Sequence, residues 1–384
     1  MLPNERRAKR LALLVGSNPL PNYLAAVVLD PGEVTLLYSP QTVEPCKRLE
    51  RELRDRGVTV SRVAVADATD ARMVREACAS LQVDHLHYSG GTKSMAAHAR
   101  QACQVGDAQA SYLDERQGLL RFDDGYDVHL EHRDLGLTLD LLLRLHGIER
   151  IGPHGPAPGG PTDHDVVSVA NRILCQPGLA TEMRDLFRPD DRRRSFERAK
   201  CCAPWTPGDH GLPLSVASIP GEDWTKPQYE DWIAFLTGGW LERWTARLIQ
   251  SCLPASVPVD VGVRCRRVKL ARTEFEIDVA LVRSHRLHVI SCTTDQKKAL
   301  CKSKLFEVAM RARQMGGDLA RCALVCLLDG SDDKGTYVDQ LRADIASLWD
   351  APNAPRVFGL ADLREWVGTT GALNLGSLEE WLKP

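Results

Sequence analysis

The regular alternation of strand-like and helix-like segments over the first 148 residues constrains the fold most. The strand-like runs are LALLV (11–15), VTLLY (34–38), VTVSRVAV (58–65), VDHLHY (83–88) and AQASYLD (108–114). Apolar residues at helical spacing occur near 43–56, 70–81 and 94–104. Repeated β-then-α units predict an α/β fold with a Rossmann-like, doubly wound parallel sheet, whose ligand loops lie at the carboxyl ends of the strands.

Three loops follow strands of this predicted sheet. They are Gly16-Ser17-Asn18-Pro19, Asp67-Ala68-Thr69-Asp70 and Ser89-Gly90-Gly91-Thr92-Lys93. Because all three lie at the same edge, they can converge on one ligand. The candidate ligand-binding residues are Gly16, Ser17, Asn18, Asp67, Thr69, Ser89, Gly90, Gly91, Thr92 and Lys93.

The turn HLHYSGGTKSM (85–95) is the most informative of these loops. Gly90 and Gly91 permit positive φ and carry no Cβ, so backbone N–H groups can converge on an anion at the start of a helix. Thr92 adds a hydroxyl and Lys93 a mobile positive charge. The turn does not fit the G-x-x-x-x-G-K-[ST] phosphate loop. A Gly-Gly pair between strand and helix can also be a simple tight connection.

Composition excludes several classes of protein. With 384 residues the chain can build at least two domains, and a net charge of −2 leaves room only for a local nucleic-acid surface. The apolar run near the start is too short for a signal peptide or a membrane span. The twelve cysteines are scattered without a Cys-x-x-Cys pair, so we expect reduced thiols in a cytoplasmic protein that does not contact membranes.

A segment rich in glycine and proline, IGPHGPAPGGPT (151–162), predicts a linker. All eight tryptophans lie beyond residue 200, so the two halves have differently built cores. The predicted organisation is a ligand-sensing domain over 1–148, a linker over 149–163, a partly helical connecting region over 164–236 and a second domain over 237–384.

The second domain is predicted to be a mixed sheet flanked by helices. GGWLERWTARLIQSC is amphipathic, and three strand-like runs follow it, the last two joined by Arg-Ser-His-Arg as a hairpin. A helix over 296–315, the strand CALVCLL, a helix over 335–349, the strand RVFGL and a closing helix complete the pattern.

Two or three carboxylates of this domain form a candidate metal site. Asp278 lies in the strand EFEIDVALV between two apolar residues, and Glu276 lies on the same face. A carboxylate there costs desolvation unless a cation or hydrogen bonds compensate it. Glu242, in the preceding helix, could meet Asp278 and bind Mg²⁺ or Mn²⁺. On spacing alone, Glu242 could equally favour a helix start while Asp278 bonds a neighbouring strand.

These motifs resemble a known family. The loops at Gly16-Ser17-Asn18 and Ser89 to Lys93 are similar to those of a CARF (CRISPR-associated Rossmann fold) sensor. Residues 239–242, 276–278 and 289–294 resemble a PD-(D/E)xK nuclease domain, which has a restriction-endonuclease-like fold. The resemblance implies a cyclic-oligoadenylate-activated effector nuclease of type III CRISPR defence.

One departure concerns catalysis. Where that family has Glu-x-Lys after the hairpin, this chain has Ser291-Cys292-Thr293. The resemblance then implies that Glu276 replaces the carboxylate and that the following helix supplies a lysine. The candidates there are Lys297, Lys298, Lys302 and Lys304, with Lys298 and Lys302 taken as catalytic. Alternatively, the nuclease is inactive.

The implied activator is a cyclic oligoadenylate such as cyclic tetra-adenylate, bound on the two-fold axis of a homodimer, and the implied substrate is DNA or RNA. A basic strand could follow the phosphate backbone through Arg264, Arg266, Lys269 and Arg272. Two alternatives stay open. The second domain could be a scaffold or nucleic-acid-binding module, or the first domain could itself cleave the ring with help from Lys93.

Overall fold

A seven-stranded sheet forms the first half of the computed structural model, which describes residues 2–104, 108–152, 158–187, 194–268, 274–349, 354–368 and 372–383. The strands are β1 (Arg10–Leu14), β2 (Glu33–Tyr38), β3 (Thr59–Ala64), β4 (His85–His87), β5 (Gln109–Asp114), β6 (Leu119–Phe122) and β7 (Asp127–His129). Their order is β3-β2-β1-β4-β5-β6-β7. The first five strands pair in parallel, and β6 and β7 add an antiparallel edge. The doubly wound sheet is therefore confirmed.

Helices connect these strands. They are α1 (Leu20–Leu29), α2 (Val43–Asp55), α3 (Ala71–Ala79), α4 (Lys93–Gln104) and α5 (Leu139–Leu145). The three helical segments predicted near 43–56, 70–81 and 94–104 correspond to α2, α3 and α4. Helix α1 was not predicted, because nearly all of its residues are buried and the sequence LPNYLAAVVL has no polar stripe to reveal the period.

The second sheet has six strands and mixed direction. They are β8 (Ile148–Arg150), β9 (Val259–Arg267), β10 (Glu274–Arg283), β11 (Arg286–Thr293), β12 (Arg321–Cys326) and β15 (Arg356–Phe358), while β13 (Ser331–Asp332) and β14 (Gly335–Thr336) form a separate small hairpin. The order is β15-β12-β11-β10-β9-β8, antiparallel from β8 to β11 and parallel from β11 to β15. The predicted hairpin turn at Arg283 to Arg286 is confirmed, with Ser284 at φ +54°.

The helices of the second half cover both faces of this sheet. They are α6 (Asp163–Cys175), α7 (Gly178–Leu186), α8 (Phe196–Ala199), α9 (Lys226–Ala234), α10 (Trp240–Ser251), α11 (Lys298–Gly316), α12 (Tyr337–Leu348), α13 (Leu360–Val367) and α14 (Gly376–Leu382). A short π-helical segment, Phe235–Gly239, joins α9 to α10. The mixed α/β architecture predicted for the second half is thus confirmed.

The two halves share one apolar core. Residues of β1 and α5 pack in the same cluster as Val289 of β11 and Leu305 of α11. The neighbouring Ile290 faces a second core, which contains α6, α9 and α10. Strand β8 begins at the predicted domain end and pairs with β9, so the start of the predicted linker is part of the second sheet. The domain division at 148, 163 and 236 stays a prediction.

Several sequence features fall only partly within the described residues. Positions 153–157 of the linker, 188–193 of the basic run, and Lys269 and Arg272 lie outside them. Arg264 pairs with Glu274, and Arg266 pairs with Glu149. All twelve cysteines are free. Within the described residues, no helix has both the length and the apolar character of a membrane span.

Candidate functional sites

The three predicted loops meet at the carboxyl edge of the first sheet, and we call them the N-terminal loop cluster (residues 16–19, 67–70 and 89–93). A Cβ at Gly90 would lie 1.9 Å from the Leu14 carbonyl oxygen, and one at Gly16 would lie 3.0 Å from the Gly91 nitrogen. Gly91 has φ +75°. The backbones of two loops therefore approach so closely that only glycine fits at residue 90, which explains the Gly-Gly pair.

Hydroxyl groups fasten the third loop and the start of α4 to the loop at 67–70. Thr92 Oγ1 donates to the Ala68 carbonyl at 2.7 Å and accepts from the Met95 N–H at 3.0 Å. Ser94 Oγ donates to the Thr69 carbonyl at 3.1 Å. The Thr92 hydroxyl thus caps α4 and holds the loop at 67–70 at the same time.

Other predicted binding residues are also engaged within the protein. Ser89 Oγ accepts from the Leu113 N–H. Asn18 Oδ1 accepts from the Leu20 N–H at 3.0 Å and lies 3.1 Å from His146 Nε2. Asp67 accepts from both the N–H and the hydroxyl of Thr69, and these bonds lower the pKa of Asp67. Ser89 and Asn18 thus shape the cluster, while Asp67 and Thr69 are exposed.

The exposed residues of the cluster are Ser17, Asp67, Thr69, Gly91, Thr92 and Lys93. Lys93 is the first residue of α4, where the first backbone N–H groups of a helix have no intrahelical acceptor. An exposed ammonium group beside such N–H groups is the arrangement that binds phosphate. The structure therefore brings the predicted residues together and leaves this part of the cluster accessible.

The second candidate site lies at the open end of the β10–β11 ladder. The paired residues run from Arg283 with Arg286 at the hairpin turn to Val279 with Ile290, and Asp278 lies immediately beyond this last pair. Asp278 Oδ2 accepts from Ser291 Oγ at 3.0 Å and from the Cys292 N–H at 2.6 Å. Asp278 is thus held by the strand that carries the departure from the family motif.

Glu242, Glu276 and Asp278 form what we call the carboxylate cluster. Burial, and after it the charges of Asp278 and Glu276, raise the pKa of Glu242 to about 8. Burial also raises the pKa of Asp278, against the hydrogen bonds from Cys292 and Ser291, which lower it. Neighbouring carboxyl groups are costly to ionise at the same time, and a cation between them would stabilise their ionised forms.

The ligand atoms of this cluster are of the kind that binds a hard divalent ion. They are carboxylate oxygens, which Mg²⁺ and Mn²⁺ prefer. Among the described residues, however, the ligand atoms of these three side chains do not all lie within 4.8 Å of one another, whereas those of His129, Glu131 and His132 do. Glu242 and Asp278 are the residues of this cluster that could hold such an ion.

Helix α11 adds charged groups that the strands lack. A cavity of about 30 Å³ is lined by Glu276, Asp278, Ser291, Lys304, Glu307 and Arg311, among others. Lys304 Nζ lies 4.0 Å from Glu307 Oε2, and Arg311 Nη2 lies 2.7 Å from Glu307 Oε1. The hydrogen bonds from Arg311 lower the pKa of Glu307, so this carboxylate is ionised. A lysine and a carboxylate thus face Asp278 from the helix.

Lys298 and Lys302 do not join the carboxylates. Lys298 Nζ donates to Gln340, and Lys302 Nζ lies 2.7 Å from Asp344 Oδ2, both on α12. The lysine that the structure brings to the cluster is Lys304. Sequence reasoning included Lys304 among four candidates but missed Glu307 and Arg311; their signal was the spacing of 304, 307 and 311, which places them on one side of a helix.

Cys292 and Thr293, which also stand where the family has Glu-x-Lys, bond other residues of the protein. The Cys292 thiol donates to Thr245 Oγ1 at 3.8 Å, and burial raises the pKa of Cys292 well above its usual range. Thr293 Oγ1 donates to Asp295 at 3.3 Å. Neither side chain supplies the acid or the cation that the family motif has at this strand.

Comparison with solved structures places this fold among known ones. No protein-family model and no curated protein matches the sequence. Can2 from Sulfobacillus thermosulfidooxidans, solved in complex with cyclic tetra-adenylate, is similar with a TM-score of 0.72 and 15% identity over 98% of this chain and 99% of Can2. Protein VC1899 from Vibrio cholerae is similar with a TM-score of 0.68 and 14% identity over 97% of each chain.

A third similar structure is a type III CRISPR defence DNA nuclease activated by cyclic oligoadenylate. Its TM-score is 0.55 and its identity 21%, over 92% of this chain and 53% of that one. At these identities the likeness establishes the fold. The chain shares the fold of Can2 and of VC1899 over nearly its whole length.

Proposed function

We propose that this protein is a CARF-type sensor of cyclic oligoadenylate in type III CRISPR defence, and that its second domain cleaves nucleic acid with a divalent metal. The observation that carries the proposal is the coexistence of two sites in one fold. Lys93 marks an exposed anion site, and Glu242 with Asp278 marks a carboxylate site. Similarity over the full length to Can2 with cyclic tetra-adenylate supports that ring as the activator.

The ligand site favours a two-fold dimer. A cyclic oligoadenylate repeats its phosphates around a ring, and one N-terminal loop cluster offers a single Lys93 to that ring. Two clusters related by a two-fold axis would match the symmetry of the ring. A light-scattering mass equal to one chain at micromolar concentration would contradict the homodimer.

In the second domain, Glu242 and Asp278 would hold Mg²⁺ or Mn²⁺, with Glu276 beside them. A bound ion of this kind supplies Lewis acidity and a more acidic water. The Ser291 hydroxyl and the Cys292 N–H hold the Asp278 carboxylate in place. Lys304 takes the role of the missing strand lysine, which is to orient a water and stabilise charge at the phosphate.

One observation favours the alternative of a binding-only module. Ser291 stands where the family has an acidic ligand, and its hydroxyl already donates to Asp278. A carboxylate satisfied in this way has less capacity for an ion. In this alternative the second domain engages nucleic acid, or transmits ligand binding, without cutting.

Lys302 and Lys304, both on α11, allow a test of the role proposed for Lys304. Lys304→Ala should lower ligand-stimulated cleavage by about 100-fold or more, the usual effect of losing a positioned catalytic group. Lys302→Ala should stay within a few-fold of wild type, because its ammonium group pairs with Asp344 on α12. The measurement is the initial rate of cutting with Mn²⁺ and cyclic tetra-adenylate. The reverse ranking of the two variants would contradict the assignment of Lys304.

A further inference from the structure

The edge of the first sheet carries three ligand-type side chains that neither proposed site uses. His129 is the last residue of β7, and Glu131 and His132 lie in the 3₁₀ turn Leu130–His132. One nitrogen or oxygen from each of the three lies within 4.8 Å of the others. All three are exposed, and His132 Nε2 lies 3.5 Å from Glu131 Oε1. The group is therefore open to a solute.

The backbone that presents these side chains is anchored. His129 pairs with Leu119 across the β6–β7 ladder. The next residue, Leu130, is fully buried, and its N–H donates to the Gly118 carbonyl at 2.9 Å. The Arg133 N–H donates to the Leu130 carbonyl at 3.0 Å. An anchored leucine between the ligands fixes where their Cα atoms stand, so that only side-chain rotation remains to close the site.

The donor set indicates which kind of ion would bind. Two imidazoles and one carboxylate suit a borderline divalent ion such as Zn²⁺, whereas Mg²⁺ prefers oxygen ligands alone. With bonds of about 2.0–2.1 Å, tetrahedral ligand atoms stand roughly 3.4 Å apart. The two imidazole rings are already 5.5 Å apart between centroids and inclined by 37°. Small rotations of exposed side chains would bring the three donor atoms to that spacing.

We propose that His129, Glu131 and His132 bind one borderline divalent transition-metal ion of the Zn²⁺ class, with a fourth position open to solvent. The site is distinct from the carboxylate cluster in place and in donor chemistry. The bound ion would join the end of β7 to the turn that follows it. Next to that turn, Gly118 contacts His285 in the turn between β10 and β11, since a Cβ on Gly118 would lie 2.6 Å from His285 Nε2.

The test uses the full chain, free of any affinity tag and stripped of metal. Zn²⁺ is titrated by calorimetry at pH 7.5, and Co²⁺ is titrated by visible absorption, which reports four-coordinate nitrogen-containing sites. The variants are His129→Ala, His132→Ala and Glu131→Gln. The matched control is His164→Ala, another exposed histidine far along the chain. Because all of these side chains are exposed, the metal-free variants should share the thermal midpoint of the wild type.

We expect one Zn²⁺ equivalent in the wild type and in His164→Ala, and affinity at least tenfold weaker in His129→Ala and His132→Ala. Glu131→Gln should weaken binding to a smaller degree, because both imidazoles remain. Zn²⁺ should raise the thermal midpoint of the wild type but not of the two histidine variants. Equal affinity in the wild type and both histidine variants would assign the ion to exposed cysteines or the carboxylate cluster and overturn the proposal. Failure of the wild type to bind micromolar Zn²⁺ would also overturn it.

Discussion

At the scale of single residues, the two hydroxyls of the glycine turn and Lys93 have different tasks. Thr92 and Ser89 use their oxygen atoms to hold the turn against neighbouring backbone. Lys93 is exposed at the start of α4, and the structure gives no ion-pair partner for it among the described residues. The sequence could not distinguish these tasks, since a hydroxyl in a turn can bond either the protein or a ligand.

Replacing Lys93 tests the ligand site. Lys93→Ala removes a charge-assisted contact to phosphate, which is worth about 1.5 to 3 kcal/mol. We expect the affinity for cyclic tetra-adenylate to fall by roughly 10- to 100-fold in calorimetry. Lys47→Ala, which removes an exposed lysine paired with Glu44 on α2, serves as the control. Unchanged affinity in Lys93→Ala would show that the turn is only a connection.

The catalytic lysine shows a second limit of sequence reasoning at this scale. Lys302 and Lys304 are two residues apart, so their side chains leave the helix about 200° apart. Only the rotation of α11 against the sheet decides which one meets Asp278, and packing sets that rotation. Glu276 and Asp278 could be identified from sequence because strand alternation places these charged residues among apolar ones, whereas Glu242 was identified by its place in the preceding helix.

At the scale of elements, the close approach of two loops depends on one glycine. A Cβ on Gly90 would lie 1.9 Å from the Leu14 carbonyl oxygen, which is backbone and cannot move aside cheaply. We expect Gly90→Ala to lower the free energy of unfolding by about 1 to 3 kcal/mol, as overpacking does. Ligand affinity should fall with it, because the loops must separate.

Urea unfolding of Gly90→Ala and Gly178→Ala makes this comparison. A Cβ on Gly178, at the start of α7, meets nothing within 4 Å. Gly178→Ala should therefore be neutral or slightly stabilising. Equal stability of the two variants would contradict the close packing between the loops after β1 and β4.

Helices and strands whose sequences show a clear period of apolar residues were predicted, and those without such a period were not. Helix α2 and helix α4 have one apolar side and were found from sequence. Helix α1 is buried on nearly all sides, and strands β6 and β7 have only four and three residues, too few for alternation to be distinctive. Strand β8 was assigned to a linker because its pairing partner lies more than a hundred residues away.

At the scale of the whole molecule, buried neutral histidines occur in both halves. Burial lowers the pKa of His85 and His146 to about 4, and that of His87, His285 and His288 to about 3. The unfolded chain binds these protons near pH 6.5, so the free energy of unfolding falls as the pH drops below that value. Glu115 and Glu242, with burial raising their pKa values to about 7 and 8, have the opposite effect, because the folded state keeps their protons.

We therefore expect a net loss of stability in acid. Glu115 and Glu242 oppose the five lowered histidines, which leaves at most about 4 kcal/mol lost per pH unit between pH 6.5 and 5. The raised pKa of Asp278 acts in the same direction as the two glutamates. Urea unfolding at several pH values, with metal removed, measures this slope. Stability that stays constant or rises as the pH falls through this range would contradict the burial of these imidazoles in neutral form.

The central proposal couples the two halves: ligand at the first sheet enables cutting at the second. They are joined by a shared apolar core and by Arg286, which donates to the Arg116 carbonyl at 3.2 Å. A ligand can act through such a contact only if it binds one arrangement of the halves better than another. The proposal therefore requires that cutting depend on the ligand as well as on the metal.

The most direct test is a cleavage assay with purified protein, labelled single-stranded RNA and DNA, and supercoiled DNA. We predict cutting when both cyclic tetra-adenylate and Mn²⁺ are present, little cutting when either is omitted, and none with Asp278→Ala, which should still bind the ring with unchanged affinity. If wild-type protein saturated with cyclic tetra-adenylate and Mn²⁺ cuts no substrate faster than Asp278→Ala does, the second domain is not a nuclease and the proposed function is wrong.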